Sequence, residues 1–363
     1  MTDIAAASPP PLSVRAVSLE APLGIAPMAG MTDTAFRRLV KRHGGCGLVV
    51  SEMVSSEGLV RGIDRTLDYA EYTEEERPVA IQIFGGDPAR MAAAARIVEG
   101  LGADIVDVNM GCPVPKIARH NAGCSLMREP EHAAAIIRSM ARAVRIPVTV
   151  KMRAGWDERS LNAGRLARLV EDAGAAAVTV HGRTAEQAYS GQADWSLIGR
   201  VAESLSIPVF GCGDCVEPEQ VVDRLVQHGV AGVLVGRGVL RNPWILAQTA
   251  DLLAGRPRCL VTAADRGRFL LDYVDLLLNE GEGEHAGFRH TASGATSGQP
   301  SGRAADAGRR ARWVVNKLRA LNAWYSRGIT DGSRLRVSIN AAESVDHLRD
   351  LIRQFFLPDE AAA

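Results

Sequence analysis

The sequence has few of the features that would place a protein in a membrane or outside the cell. Within its 363 residues no apolar run reaches the roughly 18 residues that cross a bilayer. Its start carries an acid and no basic segment, which is not typical of a signal peptide, so we expect a loose tail over residues 1–18. Its six cysteines show no disulfide framework and indicate a reducing, cytoplasmic environment.

The chain also lacks an excess of charge of either sign. Its 42 basic and 42 acidic residues give a formal net charge of zero. This balance argues against a protein coated in positive charge for non-specific nucleic-acid binding, but it allows a local basic patch. No G-x-G-x-x-G follows the first predicted strand, so a Rossmann nicotinamide site is disfavoured.

What the sequence does contain is one repeated unit: a short apolar strand, a loop with glycine or a polar residue, and an amphipathic helix. Helices are predicted at 88–99, 132–144, 161–172 and 218–228. The strands are predicted to end near Pro27, Ser51, Ile83, Asn109, Lys151, Val180, Phe210 and Val235. Eight such units predict a (β/α)₈ TIM barrel over residues 19–250, because an open doubly wound sheet usually stops at five or six strands.

Polar side chains cluster at the predicted strand ends, where a barrel of this kind places its active site. These residues are Gln82, Asn109, Cys112, Lys151, Arg153, His181, Arg183, Asp214 and Arg237. Solvation of a rim would explain one such residue. It does not explain a set that occupies nearly every unit, so we predict a binding site.

Glycines in the last two barrel loops predict a phosphate site. Gly213 and Gly236 would let backbone N–H groups approach a phosphate, and Arg237 can add a charged hydrogen bond. Lys151 could be a Schiff-base lysine, a phosphate contact or the partner of an electron-rich ring. Together with His181 and its polar neighbours it would suit a flavin.

Cys112 is the candidate catalytic group, because it stands between Gly111 and Pro113 just beyond a strand end. At an ordinary pKa of about 8.5 its thiol is mostly protonated at pH 7, so it is an acid by default. The alternative is a small buried hydrophobic residue. Cys212 and Cys215 form a single C-x-x-C, which is weak support for a metal or redox site, and we interpret them as core cysteines.

Beyond about residue 242 the pattern predicts helices alone, at 266–280, 309–327 and 344–356, in a C-terminal helical domain over 262–363. A stretch rich in glycine and serine at about 281–308 is predicted to be a flexible insertion. Nine Lys or Arg residues against two Asp lie between positions 303 and 336. We expect these arginines to contact phosphates, and the interleaved Trp313, Trp324 and Tyr325 to pack in the core.

Several motifs together resemble one known family. They are A-P-M-A-G-M-T-D at 26–33, S-E-M at 51–53, Q-I-F-G at 82–85, N-M-G-C-P at 109–113, K-M-R-A-G-W at 151–156, V-H-G-R-T at 180–184 and V-G-R-G at 235–238. This set resembles the tRNA-dihydrouridine synthases, and most of all their bacterial B-type branch. The resemblance implies an FMN-bound barrel and a helical domain that reduce the C5–C6 bond of particular tRNA uridines with NADPH.

The resemblance also implies roles for individual residues. Reduced FMN would give hydride to C6 of the uracil, and Cys112 would give a proton to C5. The implied cofactor residues are Pro27, Met28, Ala29, Gln82, Lys151, His181, Gly213, Asp214, Gly236 and Arg237. The implied tRNA contacts are Asn109, Arg153, Arg183, Arg310, Lys317 and Arg319. The family's usual N-G-D reads C-G-D here, with Cys212 in place of Asn.

Two other functions stay open at this point. A small-molecule FMN oxidoreductase of the dihydroorotate dehydrogenase type would also present a cysteine near a flavin, but it has no use for a basic C-terminal domain. An RNA-binding or regulatory protein on a degenerate barrel would bind tRNA without a flavin. For each possibility we expect a monomer with no obligate protein partner.

Overall fold

Eight parallel strands close into a barrel in the computed structural model, which describes residues 12–118, 121–291 and 307–358. The barrel strands, named first to eighth in chain order, are Leu23–Ile25, Leu48–Val50, Val79–Phe84, Ile105–Met110, Val148–Arg153, Ala177–His181, Val209–Cys212 and Gly232–Val235. The first strand pairs with both the second and the eighth, which closes the sheet. The predicted TIM barrel is therefore confirmed.

Helices cover the outer face of the barrel. The longer ones are Thr34–Arg42, Pro88–Gly100, Pro130–Ala143, Ala163–Asp172, Trp195–Ser204, Pro218–Gln227 and Ile245–Leu253. Short helices are Ser56–Val60, Asp64–Asp68, Pro115–Ala118 and Arg237–Arg241, with 3₁₀ turns at Glu74–Glu76 and Gly123–Arg128. Local chemistry starts several of them. Asp87 accepts the N–H of Arg90, and Pro88 occupies the first turn of its helix, where no backbone donor is needed.

The barrel interior changes character along its axis. Side chains two residues apart on a strand point to the same face, so Ile105, Asp107 and Asn109 all point inward. At the amino ends of the strands the interior is an apolar cluster that includes Leu48, Ala80, Ile105, Phe210 and Leu234. At the carboxyl ends it is polar, and this end carries the residues described below.

A β-hairpin precedes the barrel and packs against its apolar end. Strands Leu12–Val14 and Val17–Leu19 pair antiparallel, and Val14 and Leu19 are 0% and 3% exposed within the interior cluster. The expectation of a loose tail over residues 1–18 therefore does not hold for 12–18, because these two side chains have an apolar surface to cover. Residues 1–11 lie outside the described part of the chain.

The C-terminal helices are Ala263–Asn279, Ala307–Tyr325, Gly332–Ala341 and Val345–Phe356. Three of them match the predicted helices, and Gly332–Ala341 was not predicted. They share a continuous core with the barrel, since Phe36 of the first barrel helix makes edge contacts with Phe269 and Tyr273, each with ring centroids 6.1 Å apart. In the described residues no helix combines the length and apolar character needed to span a membrane.

Part of the segment predicted to be a flexible insertion has defined structure. Arg289–His290 pairs antiparallel with Tyr72–Thr73, and the His290 ring stacks on Tyr72 with centroids 4.5 Å apart. Arg289 forms an ion pair with Glu284 at 2.7 Å. The expectation therefore does not hold for 281–291, because charged and aromatic contacts organise this stretch where apolar burial could not. Residues 292–306 lie outside the described part of the chain.

Candidate active site

Two adjoining cavities form one cleft at the carboxyl ends of the strands. Their volumes are about 440 and about 80 Å³, and residues such as Lys151, His181 and Arg237 line both. The predicted site residues that line the larger cavity are Pro27, Met28, Ala29, Gln82, Asn109, Cys112, Lys151, Arg153, His181 and Arg237. Gly213, Asp214 and Gly236 line the smaller one. The strand ends thus bring the predicted catalytic residue and cofactor residues together.

The loop that carries Cys112 is fixed by side chains on either side. Asn109 Oδ1 accepts the backbone N–H groups of Gly111 at 3.1 Å and Cys112 at 2.9 Å, which closes the turn after the fourth strand. From the fifth strand, Arg153 Nε donates to the carbonyl of Gly111 at 2.8 Å. The turn therefore presents the cysteine at the wall of the larger cavity.

The thiol of Cys112 is half-buried, and this burial raises its pKa above the ordinary value. The backbone of Val114 and the positive charges of Arg153 and Lys151 oppose the shift without reversing it. The thiol is therefore protonated at neutral pH. A protonated thiol at the wall of a cavity can act as a general acid.

A chain of buried hydrogen bonds lies beneath this loop. Asp107 Oδ2 accepts Gln82 Nε2 at 2.7 Å, and Asp107 Oδ1 accepts the hydroxyl of Thr149 at 2.6 Å. Gln82 Oε1 in turn accepts Asn109 Nδ2 at 2.7 Å. Burial raises the pKa of the Asp107 carboxyl, against the hydrogen bonds from Gln82 and Thr149 and the charge of Lys151. Asp107 was not among the predicted site residues.

Positive charge dominates the middle of the cleft. Burial lowers the pKa of His181 to about 2, and the four neighbouring cations reinforce the shift, so the imidazole is neutral. Those cations are Lys151, Arg153, Arg183 and Arg237. In the described part of the chain the Lys151 ammonium makes no hydrogen bond, although it lines both cavities. The cleft is therefore suited to an anionic or electron-rich ligand.

Glycine is required where the smaller cavity is built. Gly213 has φ +129°, and a Cβ there would stand 2.6 Å from the Cβ of Ala193. A Cβ on Gly238 would stand 2.1 Å from the carbonyl oxygen of Cys215. The Arg237 side chain projects beside this cavity, 4.5 Å above the ring of Tyr189. Tight backbone packing and the half-exposed guanidinium of Arg237, which lies 3.8 Å from Asp214 Oδ1, fit a phosphate.

Three predicted strand-end residues have hydrogen-bond partners within the protein. Both oxygens of Asp214 accept Arg183 Nη2, at 2.7 and 2.8 Å, and Oδ2 also accepts the N–H of Ala193 at 2.7 Å. Arg183 also donates to the carbonyls of Ser190 and Gly191. Arg153 is buried and donates to three backbone carbonyls. These contacts do not support RNA binding by Arg153 or Arg183, and they make Asp214 an anchor for Arg183.

The three basic residues predicted to contact tRNA from the helices also have partners within the protein. Lys317 pairs with Asp33 and donates to the carbonyl of Gly30 at 3.2 Å. Arg310 donates to the carbonyl of Leu277 at 2.6 Å and to Glu280 at 2.8 Å. Arg319 Nη2 donates to the carbonyl of Ala342 at 2.6 Å. Among the described residues of this region, the exposed arginines are Arg309, Arg312, Arg327 and Arg334.

Two aromatic residues at the cleft were missed by sequence reasoning. Tyr189 is 57% exposed and lines both cavities, and Trp324 of helix Ala307–Tyr325 lines the larger one. The expected core placement is confirmed for Tyr325 but not for Trp324, nor for Trp313, which is 42% exposed. An aromatic among small and polar residues on a strand-end loop was the available signal for Tyr189. Which way Trp324 faces depends on how its helix packs.

The fold and the cleft define a TIM-barrel protein with a cationic binding site at the carboxyl ends of its strands. Solved structures of two other proteins support the fold alone. A histamine dehydrogenase from Rhizobium sp. 4-9 superposes with a TM-score of 0.52 at 12% identity, covering 73% of this chain and 51% of that one. A 2-naphthoyl-CoA reductase gives 0.52 at 14% identity, covering 74% and 55%. The chain thus spans about half the length of each.

Sequence comparison identifies the family. Residues 24–295 match the family model for dihydrouridine synthase. A probable tRNA-dihydrouridine synthase of Rhodobacter capsulatus is 42% identical over 272 residues, which cover 74% of this chain and 83% of that protein. A tRNA-dihydrouridine synthase B of Xanthomonas campestris is 36% identical over 333 residues, 92% of each chain. The chain therefore belongs to the dihydrouridine synthase family, and the resemblance to its B-type branch is confirmed.

Proposed function

We propose that this protein reduces particular uridines of tRNA to 5,6-dihydrouridine, with FMN as its cofactor and NADPH as reductant, in the cytoplasm. The observation that carries the proposal is one cleft lined by a protonated thiol, Cys112, and by the ammonium of Lys151, which has no hydrogen-bond partner among the described residues. The same cleft continues into a glycine-lined pocket beside Arg237. An acid, a cation and a phosphate pocket in one cleft are what flavin-dependent reduction of a pyrimidine requires.

The residues present fit a flavin mononucleotide. The larger cavity would hold the ring and the smaller one the phosphate, and positive charge is concentrated where a reduced flavin would be anionic. Pro27, Met28 and Ala29 would lie along the ring, with Gln82, Lys151 and His181 as polar contacts. Gly213, Gly236 and Arg237 would hold the phosphate. When bound, the cofactor supplies a hydride to C6 of the uracil.

The chain's own groups complete the reduction. Cys112 gives its proton to C5, so that a hydride and a proton together saturate the double bond and leave a thiolate to be reprotonated from water. Asn109 uses Oδ1 for the loop and one Nδ2 hydrogen for Gln82. Its other Nδ2 hydrogen faces Met53 Sδ at 3.7 Å, a weak contact. That hydrogen is the one available to a uracil carbonyl.

The RNA must deliver a single base to this cleft, because C5 and C6 are covered in a stacked nucleotide. Tyr189 and Trp324 stand on the walls of the larger cavity, where they can stack on bases next to the extruded one. Arg327 lies 5.6 Å from the Trp324 ring and is exposed. With Arg312 and Arg334 it offers charge to the phosphate backbone.

The experiment uses the full chain loaded with FMN. We expect NADPH-dependent formation of dihydrouridine in unmodified tRNA, located by sequencing, and no turnover of free uridine or orotate. A small-molecule oxidoreductase of the dihydroorotate dehydrogenase type would turn over the free pyrimidine and be indifferent to tRNA. A protein that binds tRNA but retains no flavin would contradict both enzymatic proposals.

A further inference from the structure

We propose that Asp107 is a positioning residue that orients two amide side chains and through them holds the Cys112 loop. The inference rests on the proposed role of Cys112 as the proton donor. It concerns a buried carboxylate at the centre of the barrel that neither the motifs nor the proposed reaction uses.

The geometry is a continuous chain from one strand to the next. The register places Asp107 beside Gln82 on the third strand and beside Thr149 on the fifth. Hydrogen bonds of 2.7 Å join Asp107 to Gln82 and Gln82 to Asn109. The last link is the pair of loop N–H groups on Asn109 Oδ1, at 3.1 and 2.9 Å. The chain runs from the buried carboxylate to the backbone of Cys112.

The chemistry of these side chains fixes which group donates in each hydrogen bond of the series. The oxygen and nitrogen of an amide have nearly the same size, so shape alone does not decide which way Gln82 or Asn109 faces. Both oxygens of Asp107 accept hydrogen bonds, from Gln82 and Thr149, so Gln82 turns its NH₂ group to Asp107 and its oxygen to Asn109. Asn109 must then direct its own oxygen at the loop, where the two N–H groups can only donate. The buried end thus sets the orientation at the catalytic end.

An alternative role for Asp107 is to balance the charge of Lys151, which opposes the rise in the carboxyl's pKa that burial causes. Two substitutions separate the roles. In Asp107→Asn the side-chain oxygen can still accept Gln82 Nε2, and the new NH₂ can donate to the hydroxyl of Thr149, so the chain keeps its direction without the charge. In Asp107→Leu the volume is largely kept but the acceptor is lost.

The test measures how fast the Cys112 thiol is alkylated by iodoacetamide, by peptide mass spectrometry, in cofactor-free and FMN-loaded protein. We expect Asp107→Asn to stay within about twofold of the parent rate, whereas Asp107→Leu frees the loop and raises the rate about tenfold. Cys259, which lies outside the cleft, is the internal reference and should be unchanged in both. An unchanged Cys112 rate in Asp107→Leu, or an equal effect of Asn and Leu, would overturn the proposal.

Two further variants keep the test decisive if Asp107→Leu does not fold. Gln82→Met removes the next hydrogen bonds in the series, those from Gln82 to Asp107 and from Asn109 to Gln82. It should raise the Cys112 alkylation rate as Asp107→Leu would. Thr149→Val removes only the side bond to Asp107 and should stay within about twofold of the parent. An unchanged rate in Gln82→Met would also overturn the proposal. Alkylation does not depend on uridine reduction, so a parent protein inactive on tRNA would refute the proposed function and leave this inference to its own measurement.

In the active enzyme we expect Asp107→Leu to lower kcat for tRNA more than it raises KM. A residue that only stabilised the fold would lower the amount of active protein and leave both constants of the folded fraction unchanged. Equal kcat and KM values in Asp107→Leu and the parent would contradict the positioning role.

Discussion

The two ends of the barrel interior are built from the same strands and differ in almost every physical property. On the fourth strand Ile105 is enclosed by apolar side chains above the N-terminal hairpin, while Asn109, four residues further on, belongs to a hydrogen-bonded network at the cleft. At the lower end no charge is needed, because tight apolar packing is enough. At the upper end four cations surround a neutral His181.

This difference shows how a barrel separates stability from chemistry. The apolar end supplies burial that tolerates no polar group, and its rigidity fixes where the strand tips lie. The polar end can then carry charged side chains that lack a hydrogen-bond partner among the described residues. Lys151 is an example. We therefore expect substitutions at the two ends to affect different measurements.

The largest effect is expected from Cys112→Ala at the polar end. Loss of the proton donor should lower dihydrouridine formation by about 10²- to 10⁴-fold while FMN binding and the melting temperature stay unchanged. The measurement is single-turnover reduction of tRNA by enzyme already reduced with NADPH. Cys259→Ala is the matched control and should keep full activity. A Cys112→Ala enzyme with the parent rate would remove the thiol from the reaction.

At the apolar end, Ile105→Ala should lower the free energy of unfolding by about 2–5 kcal/mol, since the side chain is fully buried and leaves a cavity. Urea unfolding followed by circular dichroism measures this change. At a temperature where the variant is folded, its kcat should equal that of the parent. A fall in kcat without a loss of stability would show that the two ends are not separable.

A substitution in the cleft wall that helix Ala307–Tyr325 supplies should have a smaller effect on activity. Trp324→Ala removes a surface on which a base can stack, and we expect KM for tRNA to rise about tenfold, as the loss of one stacking contact implies. NADPH oxidation in the absence of tRNA should be unaffected, which distinguishes an RNA contact from a cofactor contact. Trp324→Phe, which keeps an aromatic ring, should recover most of the affinity. If both variants bind tRNA like the parent, stacking at this position is excluded.

The smallest expected effect is on the pH dependence of stability, and it comes from a residue at neither end of the barrel interior. His43 stacks on Trp244, and burial lowers its pKa from 6.5 to about 4. A histidine with a depressed folded pKa takes up its proton more readily when unfolded, so stability falls as pH drops from about 6.5 towards 4. Because the ring is partly exposed, we expect only about 1–2 kcal/mol. Urea midpoints of His43→Phe between pH 7.5 and 4.5 should vary less than those of the parent. In this variant His181, whose pKa is also lowered, still contributes to the pH dependence of stability. An unchanged pH dependence would exclude His43 as a source.

The sequence predicted the barrel residues better than the helical ones, for a physical reason. A strand end fixes both the position and the face of its side chains, so Asn109, Cys112 and Lys151 could be placed in one cleft from the motif spacing. Asp107 could have been found by the same rule, because it lies two residues before Asn109 and points to the same side. A carboxylate within an apolar run was the signal.

On a helix the exposed face is decided by packing partners that are distant in sequence. Lys317 looked available for phosphate, but the fold places it against Asp33 in the loop after the first strand. Trp324 looked like a core residue, but it lies on the cleft wall. No local pattern contains this information, since it depends on how the C-terminal helices dock on the barrel.

The N-terminal hairpin covers the end of the barrel whose interior is filled by apolar side chains. In the described part of the chain Val14 and Leu19 extend this apolar cluster, and the cleft opens at the carboxyl ends of the strands. If NADPH and a tRNA nucleotide enter through this one opening, they would bind one after the other. We expect double-reciprocal plots against NADPH at several tRNA concentrations to give parallel lines. This is the pattern of two substrates that bind in turn.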